Sequence, residues 1–427
     1  MDESARTSLY VRETGTPPVW PTLAEPLRTD VAVIGGGFTG LSTALHLAEG
    51  GTDVALLEAE TPGWGASGRN GGQLNPGLKY DPAWFLKTFG PTKGREIVDF
   101  GWSTVDTAAA LIDRLGIDCD LRRGGTIRAA ATGAEVATIR QSFDDMAALG
   151  MPVDWVEGAE LAAMTGHDHY PAAFVDRRGG DVNPLALARG LARAAADAGA
   201  QVFGQSRVSA LARHSDGWRL EVNGHEVIAG RVLVACNGYA DDLIPGLKQA
   251  SVPVFSSILA TPPLPEELAS RILPGRQVLY EAGLVTVYYR VDAQNRLVIG
   301  GRGAMRPSGD AATMQAVSRH AHRLWPGVAQ AGWGYAWNGR VAITSDHLPH
   351  LHAPAPGLLI AYGYNGRGVA LSNALGIRLA AALAPGGDPA GLPLPLSDLR
   401  RIPFHRFWRI GAQAAILNAQ VRRRLGI

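Results

Sequence analysis

The sequence predicts an α/β fold built around a strand–helix–strand nucleotide-binding unit, and three observations carry that prediction. A wholly apolar run at 31–34 enters Gly35-x-Gly37-x-x-Gly40, a helical run at 41–49 follows, and a second apolar run at 54–57 ends at Glu58. Gly35 permits the tight turn, Gly37 lets backbone approach a pyrophosphate, and Gly40 lets helix and sheet pack closely. The helix N-terminus turns unpaired N–H groups and partial positive charge toward phosphates. Glu58, about 20 residues past the glycines, is placed to accept hydrogen bonds from ribose hydroxyls. Its charge favours NAD or FAD over NADP.

The chain has 427 residues, more than one core usually serves, so two domains are expected. Hydrophobic content of 46% with 19% charged residues fits an ordinary globular protein. A net charge of +1 gives no global electrostatic case for nucleic acid or an anionic membrane. Cys119 and Cys236 are the only cysteines, far apart and without metal spacing. Neither a disulfide framework nor a metal site is expected. The polar N-terminus lacks a signal-peptide core, and no apolar run approaches the roughly 18 residues of a membrane span. A cytoplasmic protein is expected.

Residues 1–29, polar and proline-bearing, suit an extended arm. Residues 63–73 (GWGASGRNGGQ) hold five glycines in eleven positions, too many for a helix or strand interior. Such a segment is either a flexible surface loop or backbone brought close to something flat or charged. It leaves the nucleotide-binding strand on the ligand side, which fits the second reading. Helical spacing is present at 82–118, a strand at 124–130, a helix at 134–149, and a helix at 185–198 opened by Asn183-Pro184. Short strands are expected at 202–208, 218–222, 226–228 and 231–236, the last ending in Asn237-Gly238. Residues 245–274 are proline-rich and read as a crossing between domains. A hairpin across 292–295 joins 284–290 to 296–302, and helical sequence follows at 311–325. The apolar strand 358–362 runs into GYNGRG (363–368) and a helix at 369–383, a second helix N-terminus able to face a bound group. After a linker at 385–395, residues 404–425 form a basic, apolar-faced helix. It suits either packing on the body or a membrane or partner surface.

The first motif, GASGRNGGQ (65–73), LVACNGY (233–239) and GYNGRGV (363–369) stand together in one order. In this the chain resembles the FAD-dependent amine and amino-acid oxidoreductases of the D-amino-acid oxidase superfamily, and within them the gamma-glutamylputrescine oxidoreductase group. The resemblance implies a Rossmann-like FAD-binding domain, discontinuous at 30–88, 157–250 and 335–390. A substrate domain on a mixed β-sheet would occupy 89–156 and 251–334, making an α/β chain with an α+β second domain. The arm (1–29) and a C-terminal helix (391–427) complete it. Gly35, Gly37, Phe38, Thr39, Gly40, Glu58 and Ala59 would hold the ADP half of a non-covalent FAD, with Val208 meeting adenine through its backbone. Ala66, Ser67, Gly68, Arg69, Asn70, Gly71, Gly72 and Gln73 would run beside the isoalloxazine ring. Asn237, Gly238 and Asn365 would support it. Gly366, Arg367, Gly368 and Val369 would face its N1–C2=O edge, where N–H groups and the guanidinium stabilise an anionic reduced ring.

Two positions depart from the family pattern. Lysine-dependent amine oxidases of the superfamily carry a lysine near the flavin; the matching strand here has Val298. None of the four lysines (79, 87, 93 and 248) falls in a flavin-contact motif. Amino-acid oxidases clamp the substrate carboxylate with an arginine; here Val341 stands in that place, beside Arg340. The resemblance implies oxidation of a C–N bond of a small-molecule amine, gamma-glutamylated or N-substituted, by hydride transfer to flavin N5, with the imine then hydrolysed. The acceptor would be oxygen or, in a dehydrogenase of an amino acid or N-methyl compound, an electron carrier. Tyr289, Arg302 and Trp337 are the candidate catalytic residues on the substrate face. An NAD-binding module without flavin is the remote alternative, and the 65–73 loop argues against it.

Overall fold

The computed structural model describes residues 8–283 and 286–425. Two eight-stranded sheets organise them. The first runs His350–Ala355, Leu358–Tyr362, His225–Val234, Leu27–Ile34, Val54–Leu57, Gln201–Phe203, with Gly217–Val222 attached to His225–Val234 and Val208–His214 to Gly217–Val222. Leu358–Tyr362 through Gln201–Phe203 are parallel. Parallel strands are covered on both faces, which is why Val54–Leu57 and Leu358–Tyr362 are unbroken apolar runs with every residue buried. The helix Phe38–Glu49 crosses from Leu27–Ile34 to Val54–Leu57, as the motif predicts. Gly35 sits at φ 109°, and a Cβ on Gly40 would stand 2.0 Å from the Gly35 carbonyl oxygen. The third glycine is therefore a packing requirement.

The second sheet runs Tyr335–Thr344, Ser251–Ala260, Leu297–Arg302, Tyr288–Val291, Val278–Glu281, Thr126–Ala130, Ala172–Asp176, Val153–Glu157. It is mixed, with one parallel pair, Val278–Glu281 on Thr126–Ala130. The expected hairpin is present across 292–295; residues 284–285 of its first strand lie outside the described residues. The domain division needs three corrections. Tyr335–Thr344 and Ala172–Asp176, expected with the cofactor domain, pair in the second sheet. The helix Pro82–Leu115, expected largely in the substrate domain, shares the first domain's core: Ile97, Val105 and Ile112 pack with Leu371, Leu375 and Leu379 of Gly368–Leu383. The proline-rich 245–274 segment contains the ten-residue strand Ser251–Ala260. Pro253 fits there because pairing with Leu297–Arg302 begins only at Ser256, leaving a neighbour on one side at the proline. The arm is also not wholly extended. Leu9–Thr14 is a short helix capped by the Ser8 hydroxyl, and Leu9 and Tyr10 are buried against Leu185, Ile258, Val298 and Trp337.

The second sheet is tied to the glycine loop by buried charge. Asp181 is fully buried, and its Oδ2 accepts from Arg290 Nη1 at 2.6 Å and Arg122 Nη2 at 2.5 Å. Arg290, on the second sheet, also donates from Nε to the Gly71 carbonyl at 2.9 Å. Gln73 Nε2 donates to the Leu279 and Tyr289 carbonyls at 3.0 and 3.2 Å. Removing one partner of such a pair leaves an uncompensated buried charge. Asp181→Ala should therefore lower stability by about 3–5 kcal/mol in denaturant unfolding.

Candidate active site

Two cavities meet between the sheets. The first, of about 590 Å3, lies at the carboxyl ends of the parallel strands, against Gly35 after Ile34, Glu58 after Leu57 and Cys236 after Val234. That is where an open parallel sheet presents a ligand site. Two helix N-termini open into it. Phe38–Glu49 begins at Gly37 and Gly368–Leu383 begins at Arg367, neither with a side-chain cap. An uncapped N-terminus offers N–H groups and partial positive charge to an anion. At the acid end, Glu58 accepts from Gly36 N at 2.6 Å and Glu60 N at 2.8 Å. Burial raises its pKa against the pull of those two donors. Phe38, Thr39, Ala59, Ala66, Ser67, Asn70, Val208, Asn237, Gly366, Gly368 and Val369 line this cavity. The cavity's volume, its two helix N-termini and the acid at the end of Val54–Leu57 fit an FAD. Gly37 is part of that cradle: a Cβ there would reach 3.0 Å from Ser67 Oγ.

The second cavity, of about 310 Å3, opens on the first through Ala66, Asn70, Val341, Gly366 and Val369, which line both. Its floor is the glycine loop: Arg69, Asn70, Gly71 and Gln73 line it, together with Asn365 and Arg367. Bonds within the loop contribute part of its shape. Asn70 Nδ2 donates to the Ala66 and Ser67 carbonyls at 3.1 and 2.9 Å, and its Oδ1 accepts from Gly72 N at 2.8 Å. Arg69 donates to Trp64 O at 2.8 Å with its guanidinium 4.3 Å from the Trp64 ring. Arg367 donates to Pro76 O and Tyr280 Oη, both at 2.8 Å. Gly40, Gly68, Gly72 and Gly238 line neither cavity and support the turns around them. Asn237 and Asn365 brace the second glycine turn, accepting from Gly363 N and Thr344 N at 2.9 Å each.

The opposite wall is one face of the second sheet, and here alternation decides which candidates reach the site. Arg302 lines the cavity, as expected. Tyr289 does not; it is fully buried on the far face, with its hydroxyl 3.3 Å from His167 Nε2. Its neighbour Tyr288 takes the cavity side and pairs with Ser256 Oγ at 2.8 Å. Trp337 lies on the facing side but is sealed, donating from Nε1 to Arg69 O at 3.1 Å, so it holds the loop and lines neither cavity. Val298, in the strand position matched to the family's lysine, is closed into the same packing as Trp337. Val341 stands at the junction of the cavities, while Arg340 turns into the first cavity and donates to Gly238 O at 3.0 Å.

One lysine does reach the site. Lys79 lines the second cavity with Arg128, and its ammonium is pushed down to about 8 by burial and by the like charges of Arg367 and Arg128. Its side chain remains open to solvent through the cavity. Arg128 interrupts the apolar strand Thr126–Ala130 and pairs with Asp81 at 3.0 Å. A charged residue inside a buried strand was the available signal for it. Behind the wall, His169, Glu281 and His320 cluster within 4.8 Å. Arg323 donates to His320 Nδ1 at 2.7 Å, so the His320 proton sits on Nε2, 3.0 Å from Glu281 Oε1. That ring offers the carboxylate a proton, where a metal ion would need a lone pair.

Glu58→Ala removes the acid from the ribose end of the cradle. Hydrogen bonds to a charged group are worth about 1.5–3 kcal/mol, so FAD binding to the apoprotein should weaken roughly 10- to 100-fold in a flavin-fluorescence titration.

Residues 30–382 match the family described as FAD dependent oxidoreductase. Gamma-glutamylputrescine oxidoreductase of Escherichia coli (strain K12) is 31% identical over 411 residues, covering 93% of this chain and 95% of that protein. Glycine oxidase of Geobacillus kaustophilus (strain HTA426) is 29% identical over 83% of this chain and 92% of that protein. A crystal structure of glycine oxidase from Geobacillus kaustophilus superposes with a TM-score of 0.73 at 26% identity, over 84% of this chain and 95% of that one. L-amino acid deaminase from Proteus vulgaris, 17% identical, shares the fold with a TM-score of 0.73 over 91% of this chain and 100% of that one. This chain belongs to the FAD-dependent oxidoreductase family, and the relatives named above are oxidoreductases of amines and amino acids.

Proposed function

We propose that the protein oxidises the C–N bond of an amine that also carries an anionic group, a gamma-glutamylated amine being the best-fitting class, and that FAD is held without a covalent bond. The observation that carries this reading is the charge of the second cavity. Its walls hold Arg69, Lys79, Arg128, Arg302 and Arg367 against Glu281 alone among the described residues. Arg128 is matched by Asp81, whereas no carboxylate among the described residues bonds the Lys79 ammonium, so the cavity keeps excess positive charge for a ligand. With Val341 where the family's arginine clamp would stand, the anionic group would sit further from the reacting carbon, toward Lys79 and Arg302. That separation suits a carboxylate remote from the oxidised amine.

FAD, when bound, supplies the hydride acceptor. The chain's own residues orient the amine and limit water. Val341, Ile343 and the Tyr288 ring give an apolar wall beside the junction, and an apolar wall favours the neutral amine that oxidation requires. Arg367 and the N-terminus of Gly368–Leu383 favour negative charge at the same place. Non-covalent attachment is supported by Cys236, the cysteine on the cofactor cavity wall. Burial pushes its thiol up to about 12, and it donates to Ile34 O at 3.3 Å, so it is not a nucleophile near neutral pH.

Val298 favours a second reading for the acceptor, an electron carrier in place of oxygen, because the strand position matched to the lysine is closed and uncharged. Stopped-flow reoxidation of the reduced enzyme should then be faster with a quinone or dye than with air. Equal or faster reaction with air would return the acceptor to oxygen.

Anaerobic mixing with gamma-glutamylputrescine should bleach the flavin band; no bleaching with any amine of a panel would remove the amine reading. Lys79 is charged below about pH 8 and neutral above it. KM for a carboxylate-bearing amine should therefore rise as pH passes through 8. Lys79→Met should flatten that limb and raise KM roughly fivefold at neutral pH, the scale of an exposed ion pair. Tyr288→Phe should lower kcat/KM. Tyr289→Phe should leave kinetics unchanged while costing about 1 kcal/mol of stability, as expected for one lost buried hydrogen bond.

A further inference from the structure

We propose that the C-terminal helix docks on an anionic lipid surface. The helix Trp408–Leu425 presents two different sides. Trp408, Ala412 and Ile416, every fourth residue, are partly covered. On the other side Phe407, Ile410, Leu417 and Val421 are 49%, 66%, 61% and 47% exposed, and Phe404, just before the helix, is 80% exposed. With the exposed Ala414 they follow the 3–4 spacing of one helical stripe. Seven large hydrophobic side chains are exposed among the described residues, and five of them are here. Such concentration marks an interaction surface, since single exposed hydrophobics would be scattered.

Charge identifies the occupant. Residues 399–427 contain seven arginines and no aspartate or glutamate. The rest of the chain carries 33 basic and 39 acidic residues, so the net charge of +1 conceals a strongly cationic end on an acidic body. Arg406 and Arg409 are exposed beside the stripe. A second copy of this segment would bring like charges together, whereas an anionic bilayer offers both counter-charge and an apolar layer. The helix is not apolar enough to cross a membrane, so it would lie in the interface plane. It is fastened to the body: Ile402 N donates to Gln249 O at 2.9 Å, and His405 Nε2 lies 2.8 Å from Ser251 O. That corner follows closely on Tyr239–Leu243 of the cofactor cavity wall, so a bound bilayer would lie on that side of the molecule.

The test uses the full-length, FAD-loaded protein sedimented with vesicles of phosphatidylcholine alone or with a quarter phosphatidylglycerol. Binding is expected to the anionic vesicles only, with release by salt. Arg406→Gln and Arg409→Gln should each weaken it about fivefold. The double variant Ile410→Glu, Leu417→Glu should abolish it with the flavin spectrum unchanged, the spectrum reporting a folded body. Failure to sediment with anionic vesicles, or full binding by the double variant, would overturn the proposal. A wild-type mass in solution that is twice that of the double variant would overturn it too, assigning the stripe to a second copy of the chain.

Discussion

Asp181 is the point on which the site's geometry rests. One buried carboxylate oxygen binds two guanidinium groups, and one of these, Arg290, also grips the carbonyl of Gly71. The aspartate belongs to a two-stranded ribbon with Gln73–Leu74, so the glycine loop is clasped from both ends of the same charge cluster. A loop with that much glycine has no conformational preference of its own. Its shape is imposed by Arg290, by Gln73 reaching the Leu279 and Tyr289 carbonyls, and by Trp337 bonding Arg69. Desolvating three charges is costly, and both guanidinium groups also bond backbone carbonyls, Arg122 that of Val291 and Arg290 those of Gly71 and Val182.

Fixing the loop fixes the passage between the cavities. The junction residues come from three elements: the loop, the second glycine turn and the end of Tyr335–Thr344. The loop and the turn are braced by side chains outside the junction, Trp337 and Asn237 among them. The floor of the junction therefore stays fixed in a geometry that no local segment would hold alone, and both helix dipoles are aimed before any ligand arrives.

Much of the cofactor half was legible in the sequence because its signals are local. The strand, glycines, helix and terminal Glu58 lie within 28 residues, and each constrains the next. The substrate half depends on relations that a linear reading does not contain. Tyr288 and Tyr289 are adjacent and chemically alike, and strand register alone decides which one faces the cavity. Pro253 hid a ten-residue strand because its pairing begins on one side only. Tyr335–Thr344 directly precedes His350–Ala355 of the first sheet in sequence, although its hydrogen bonds go to Ser251–Ala260. Lys79 follows the glycine loop without any motif, and only the meeting of Pro82–Leu115 with the rest of the first domain brings that stretch to the second cavity. The tie between Asp181 and Arg290 spans 109 positions.

The two cavities draw their walls from different sheets. The FAD cradle is made of turns at the ends of parallel strands, where a Cβ at Gly35 would meet the Ala235 backbone and one at Gly37 would meet Ser67 Oγ. The substrate wall is made of alternate side chains on a rigid antiparallel surface: Ser256, Tyr288, Arg302 and Val341. Each of these can be exchanged without moving the strand that carries it. Descendants of one ancestral chain can thus acquire new amines by rewriting a few alternate positions, while the redox half of the molecule is inherited intact.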